Sequence, residues 1–120
     1  MAWKFYNPNP LGKSIGDCAV RAISAALNLD WDSAYALLAQ EGFVMADMPS
    51  ANAVWGNVLK DRGFRREVCP DCYTAESFCN EHKTGLFVLG FGTHTATVKD
   101  GVLYDSWNSL QEQPQYFWRR

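Results

Sequence analysis

No apolar run in this 120-residue chain approaches the roughly 18 residues of a membrane-crossing helix. The longest clear one, residues 86–90, has the length of a strand. The opening segment MAWKFYNPNPLGKS lacks the continuous apolar stretch that follows a basic segment in a secretory signal. Both absences predict a cytoplasmic protein without a membrane partner. There is no excess of positive charge either. Lys and Arg number 11 against 13 Asp and Glu, a net charge of −2, which argues against a nucleic-acid binder held by phosphate contacts. Repeats and low-complexity tracts are missing. A charged fraction of 20% with an apolar fraction of 48% excludes a disordered or fibrous chain. The length predicts one domain over residues 1–120, able to bury a core without staples.

What is plentiful is aromatic: 5 Trp, 5 Tyr and 7 Phe, enough to line a groove as well as a core. The 4 cysteines, Cys18, Cys69, Cys72 and Cys79, read in a reducing compartment as thiols, metal ligands or a nucleophile rather than a disulfide framework.

Residues 7–16, rich in Pro and Gly, read as an ordered loop entering a helix. Asp17 is placed to cap a buried, Ala-rich helix near residues 18–28. Asp30 caps a second helix near 31–41, with Gly42 at the left-handed position after its end. Ser50 caps a third near 51–62, closed by Gly63. Residues 64–68 read as a short strand, and Thr74 caps a short helix near 75–83. The period then changes. Residues 85–90, 95–99 and 102–107 read as strands, and Asp100-Gly101 predicts a type I′ hairpin. Residues 116–118 add an edge strand. Helices followed by an antiparallel sheet give an α+β fold.

Cys18 falls at the first position of its helix, where unpaired N–H groups and the helix dipole stabilise a thiolate and can hold an oxyanion. On its own it also fits a small buried residue. A thiol nucleophile needs a base, and the base an orienter. The hairpin supplies both by register. With a two-residue loop at Asp100-Gly101, Ala96 faces Asp105 and His94 faces Trp107. His94, Ala96, Val98, Leu103, Asp105 and Trp107 then share one face. Asp105 becomes the diagonal neighbour of His94, within reach of a carboxylate–imidazole bond past the small Ala96. Arg21, one turn into the helix, is placed to pair with Asp17 or Asp105 or to help hold the thiolate. Trp107 shields this pair, lines a groove or packs in the core.

The segments NPLGKSIGDCAVRAIS (residues 9–24), GTHTATVKDG (92–101) and YDSW (104–107) resemble small papain-like cysteine peptidase-type proteins of bacteria and their phages. The resemblance extends over nearly the whole chain. It implies a papain-like fold, with the nucleophile helix packed on the C-terminal sheet, Cys18 as nucleophile, His94 as base and Asp105 as orienter. There is one departure. The position six residues before the cysteine, where papain-type enzymes carry an oxyanion-hole Gln, is Gly12. Asn7, Asn9 or Ser14 must then supply the second donor beside the Cys18 N–H.

A rival site is Cys69, Cys72, Cys79 and His82, a C-x2-C-x6-C-x2-H spacing that could hold zinc. Its short central gap, most of it helical in pattern, argues against a metal. The reading favoured by the sequence is a peptidase or amidase acting on a peptide or protein substrate through a Cys–His–Asp triad, with no cofactor. A transglutaminase-like acyltransferase and a catalytically inert binding or inhibitor module on the same fold are the alternatives.

Overall fold

The computed structural model describes residues 2–120. In chain order the elements are β1 (Trp3–Phe5), α1 (Cys18–Leu27), α2 (Trp31–Met45), α3 (Asn52–Lys60), β2 (Arg65–Val68), α4 (Ala75–Glu81), β3 (Leu86–Phe91), β4 (His94–Lys99), β5 (Val102–Asp105) and β6 (Tyr116–Arg119). The strands form one mixed sheet in the order β1-β5-β4-β3-β6-β2. The architecture is α+β, as expected. Two features differ from expectation. β1 adds a parallel strand beside β5, so the sheet is not purely antiparallel. β6 lies inside the sheet between β3 and β2 rather than at an edge. No helix among the described residues is long and apolar enough to cross a membrane.

The sheet is covered on both faces. One cluster joins α1, α2 and α3 around Ile23, Leu38, Val54, Trp55 and Val88. The other joins α4 to the opposite face around Phe78, Leu89, Val98, Leu103 and Phe117. β3 feeds both clusters alternately, which is why residues 86–91 read as an unbroken apolar run. The alanines of α1 let its backbone come close to the sheet. Thr97 of β4 donates its hydroxyl to the Ala22 carbonyl at 2.8 Å, tying helix to strand.

Capping explains the helix boundaries. Asp30 accepts from the Ser33 N–H at 2.8 Å, and Thr74 from the Ser77 N–H at 3.1 Å. α2 runs on past Gly42 to Met45, and Ala46 takes the left-handed position (φ 55°). Gly42 is needed instead for close approach: a Cβ there would meet the Asp47 carbonyl oxygen at 2.8 Å. α3 begins at Asn52 behind Ala51 rather than behind Ser50. Gly90 is the most crowded of the glycines, because the Tyr116 ring lies 2.2 Å from where its Cβ would sit. Gly90→Ala is expected to lower stability by about 1–3 kcal/mol through overpacking. The urea midpoint measures this, and an unchanged midpoint refutes it.

Candidate active site

The Asp100-Gly101 turn has φ of 48° and 79°, the pair of positive values a type I′ turn requires. It sets the register Lys99↔Val102, Val98↔Leu103 and Thr97↔Tyr104. His94 therefore opens β4 and Asp105 closes β5 at the same end of the sheet. His94 Nε2 and Asp105 Oδ2 are 2.6 Å apart. The N-terminus of α1 arrives at that end. The Cys18 thiol lies beside the imidazole and the Thr95 N–H, near enough for both to favour its thiolate. Nε2 is taken by Asp105, which leaves Nδ1 as the ring nitrogen free to serve sulfur.

Asp105 is 1% exposed and its carboxylate is fully occupied. Oδ2 also accepts from the Ser109 hydroxyl at 2.6 Å. Oδ1 accepts from the Ser106 N–H at 2.8 Å and from Arg21 at 3.2 Å. Arg21, itself buried, also pairs with Asp17. It makes both of the pairings that the sequence left as alternatives. Asp17 makes no side-chain cap to α1. Its carboxylate goes instead to Arg21 and to the Trp31 indole N–H, the latter at 2.9 Å. A continuous chain of bonds thus runs Trp31, Asp17, Arg21, Asp105, His94, with Cys18 beside its end; Asp17, Arg21 and Asp105 at its centre are buried. Phe91 and Trp107 flank the imidazole at ring-centroid distances of 5.6 and 5.2 Å. Of the two, Trp107 is 44% exposed and Phe91 is buried.

Burial alone would raise the Cys18 thiol. The bond and charge of His94, the Thr95 N–H and the Arg21 charge outweigh it and hold the thiol below its ordinary range. Burial alone would lower the imidazole. Its bonds to Asp105 and Cys18, with their charges, push His94 up to about 9. Burial raises the Asp105 carboxyl, but His94, Ser109 and the Ser106 N–H more than offset that and keep it ionised well into acid. Both shifts favour a thiolate–imidazolium pair.

The raised imidazole has a stability signature. Unfolded, a histidine titrates near about 6.5, and in the fold His94 is pushed up to about 9. Its contribution is fully present below about 6.5 and is lost as pH rises through about 9. Cys18, lowered from its ordinary range, acts with the opposite sign, its share being lost as pH falls through the lowered value. Urea midpoints in a Cys18→Ala background, with and without His94→Ala, isolate the histidine, and their difference should shrink as pH rises above about 6.5. A difference that is flat or grows would exclude a raised imidazole.

The expected oxyanion donors are placed less favourably. Asn7 Nδ2 donates to the Lys13 carbonyl at 3.1 Å. Asn9 is buried, and its Oδ1 accepts from the Leu11 and Lys13 N–H groups at 2.9 and 3.3 Å. Both residues shape the 7–13 loop. Ser14 is exposed.

The four residues of the rival metal site do not form one. No cluster of three or more His, Cys, Asp or Glu among the described residues is arranged to hold an ion. Cys69 and Cys79 sit in the second core cluster, and burial pushes both thiols up to about 11, opposite to what a thiolate ligand needs. Cys72 is exposed. His82 stacks on Phe78 at 3.9 Å between ring centroids and bonds the Phe78 carbonyl through Nδ1 at 2.9 Å.

Ser109 and the Thr95 N–H escaped sequence reasoning. Ser109 lies in an irregular loop with no periodic signal, and a backbone donor has no residue signature. No family model, no curated protein and no solved structure matches the chain.

Proposed function

We propose that the protein is a cysteine peptidase or amidase of papain-like type. One observation carries the reading: a cysteine at the first position of a buried helix lies beside a histidine that lowers its thiol and whose Nε2 is held by a buried carboxylate at 2.6 Å. The order Cys18, His94, Asp105 along the chain and the packing of α1 on the sheet support it.

The Cys18 thiolate attacks a substrate carbonyl, forming a carbon–sulfur bond and an oxyanion. The Cys18 backbone N–H at the helix terminus stabilises that oxyanion. Imidazolium His94 gives its proton to the leaving amine as the carbon–nitrogen bond breaks, which leaves a thioester and neutral imidazole. His94 then takes a proton from water as the water attacks, the acid is released, and the pair is restored. Asp105, fixed by Ser109, Ser106 and Arg21, keeps the imidazole in the tautomer that serves sulfur. An amine in place of water would make the same site a transferase.

A second reading, an inert binding or inhibitor module on this fold, is favoured by the engagement of Asn7 and Asn9 within their own loop. The two readings separate on thiol chemistry. In wild type near about pH 6, well below the free thiol value, iodoacetamide should alkylate Cys18 ahead of exposed Cys72. Peptide mapping reads the order. Labelling of Cys72 first, with Cys18 inert, rejects the enzyme in favour of the module.

A further inference from the structure

A cavity of about 250 Å³ opens beside the start of α1. Its walls are Ile15 of the preceding loop, Trp31, Tyr35 and Leu38 of α2, and Met48 and Pro49 of the turn before α3. Asp17 and Ala19, on either side of Cys18, line it as well, and Cα atoms of neighbouring residues are about 3.8 Å apart. The cavity thus lies around the end of the helix from the thiol, one residue away along the chain.

Its lining is apolar. The one charged side chain there, Asp17, is buried and already engaged by Arg21 and Trp31, so the cavity presents no free charge. Ile15, Tyr35 and Met48 are each at least half exposed. Trp31 and Tyr35 stack with ring centroids 5.1 Å apart, which gives one wall a rigid flat surface. Apolar walls open to water regain free energy when an apolar group covers them. A charged group placed there would lose its hydration and find no partner. The volume is below that of pockets for drug-sized ligands, roughly 300–1,000 Å³, and suits one large side chain. An extended substrate advances about 3.3–3.6 Å per residue, so a rim formed by the two residues flanking Cys18 is within the span of a residue or two of substrate.

The geometry points to a subsite for one large apolar side chain of the substrate, carried on a residue flanking the bond that Cys18 attacks. This inference rests on the reading of Cys18 as the nucleophile. It assigns the substrate class as peptides or amides with a leucine-like or phenylalanine-like residue at that bond.

Two probe series test it. In N-chloroacetyl amino-acid amides the residue lies on the leaving side. In amino-acid chloromethyl ketones it lies on the acyl side. In both, sulfur displaces chloride as the carbon–sulfur bond forms and the carbon–chlorine bond breaks. In at least one series the leucine and phenylalanine members should label Cys18 roughly 10-fold faster, or more, than the glycine and aspartate members. In Met48→Asp that ratio should fall toward unity, and Tyr35→Ala should reduce it. Met48 is 68% exposed, so its replacement leaves the core intact. Flat rates across both series, with rapid iodoacetamide alkylation of Cys18, overturn the subsite and leave the nucleophile standing. A leucine preference undiminished in both variants also overturns it. Slow iodoacetamide alkylation of Cys18 itself removes the nucleophile and the subsite together.

Discussion

In His94→Ala the alkylation rate of Cys18 near about pH 6 is expected to fall roughly 10- to 100-fold. A thiol with the ordinary value of about 8.5 is ionised to only about 0.3% at that pH. The wild-type thiol is held below that range by His94 first of all the stabilising groups. A low-pKa thiolate is a weaker nucleophile, which offsets part of the gain and sets the lower end of the range. The difference should vanish above about pH 9, where both proteins carry thiolate. On the proposed mechanism the same variant lacks the proton donor for the leaving amine and the base for thioester hydrolysis, so turnover should fall by about 10³-fold or more. Rate–pH profiles that superimpose in the two proteins would mean that Cys18 owes nothing to the imidazole.

Arg21→Met is expected to cost about 3–5 kcal/mol of folding stability. Arg21 is the cation shared by two buried carboxylates, with side-chain exposures of 4% for Asp17 and 1% for Asp105. Removing it leaves both charges without that partner in a region that water does not reach. A domain of this size has roughly 5–15 kcal/mol in all, so the loss takes a large share. Arg21→Lys should recover only part of it, since an ammonium lacks the planar fork that spans two carboxylates. Urea denaturation measures both variants, and a loss below about 1 kcal/mol in Arg21→Met would show the network to be dispensable. In Arg21→Lys the alkylation profile of Cys18 should shift toward higher pH, because Asp105 loses one of the bonds that fix it and with it the imidazole.

The part of the site that the sequence discloses is the part set by local chemistry. Asp100-Gly101 dictates a two-residue turn, and alternation along two strands then brings His94 to Asp105, although the ladder ends at Thr97↔Tyr104 and the expected strand stops at Asp105, short of Trp107. Asp30 and Thr74 act as caps because nothing else competes for their side chains. Asp17 has the same local credentials but two stronger partners, Arg21 one turn on and Trp31 across the helix pair, and tertiary contacts win. β1 is three residues long and pairs with β5, a strand about a hundred positions away, so no local pattern marks it. β6 reads like an edge until β2 is seen to cover it. The Cys-x2-Cys segment looks like a metal site by spacing alone. Packing decides against it, because Cys69 and Cys79 are absorbed into the hydrophobic cluster beneath α4.

Cys18 belongs to the first helix, while His94 and Asp105 belong to the C-terminal hairpin. The bond from Arg21 to Asp105 spans 84 positions. During synthesis Cys18 leaves the ribosome long before His94 or Asp105 exists, and until the hairpin closes its sulfur is an ordinary thiol. The lowered thiol is therefore absent while the chain is being made and arises only when the sheet docks on the helix. Any nick or truncation that detaches the hairpin should return Cys18 to an ordinary thiol.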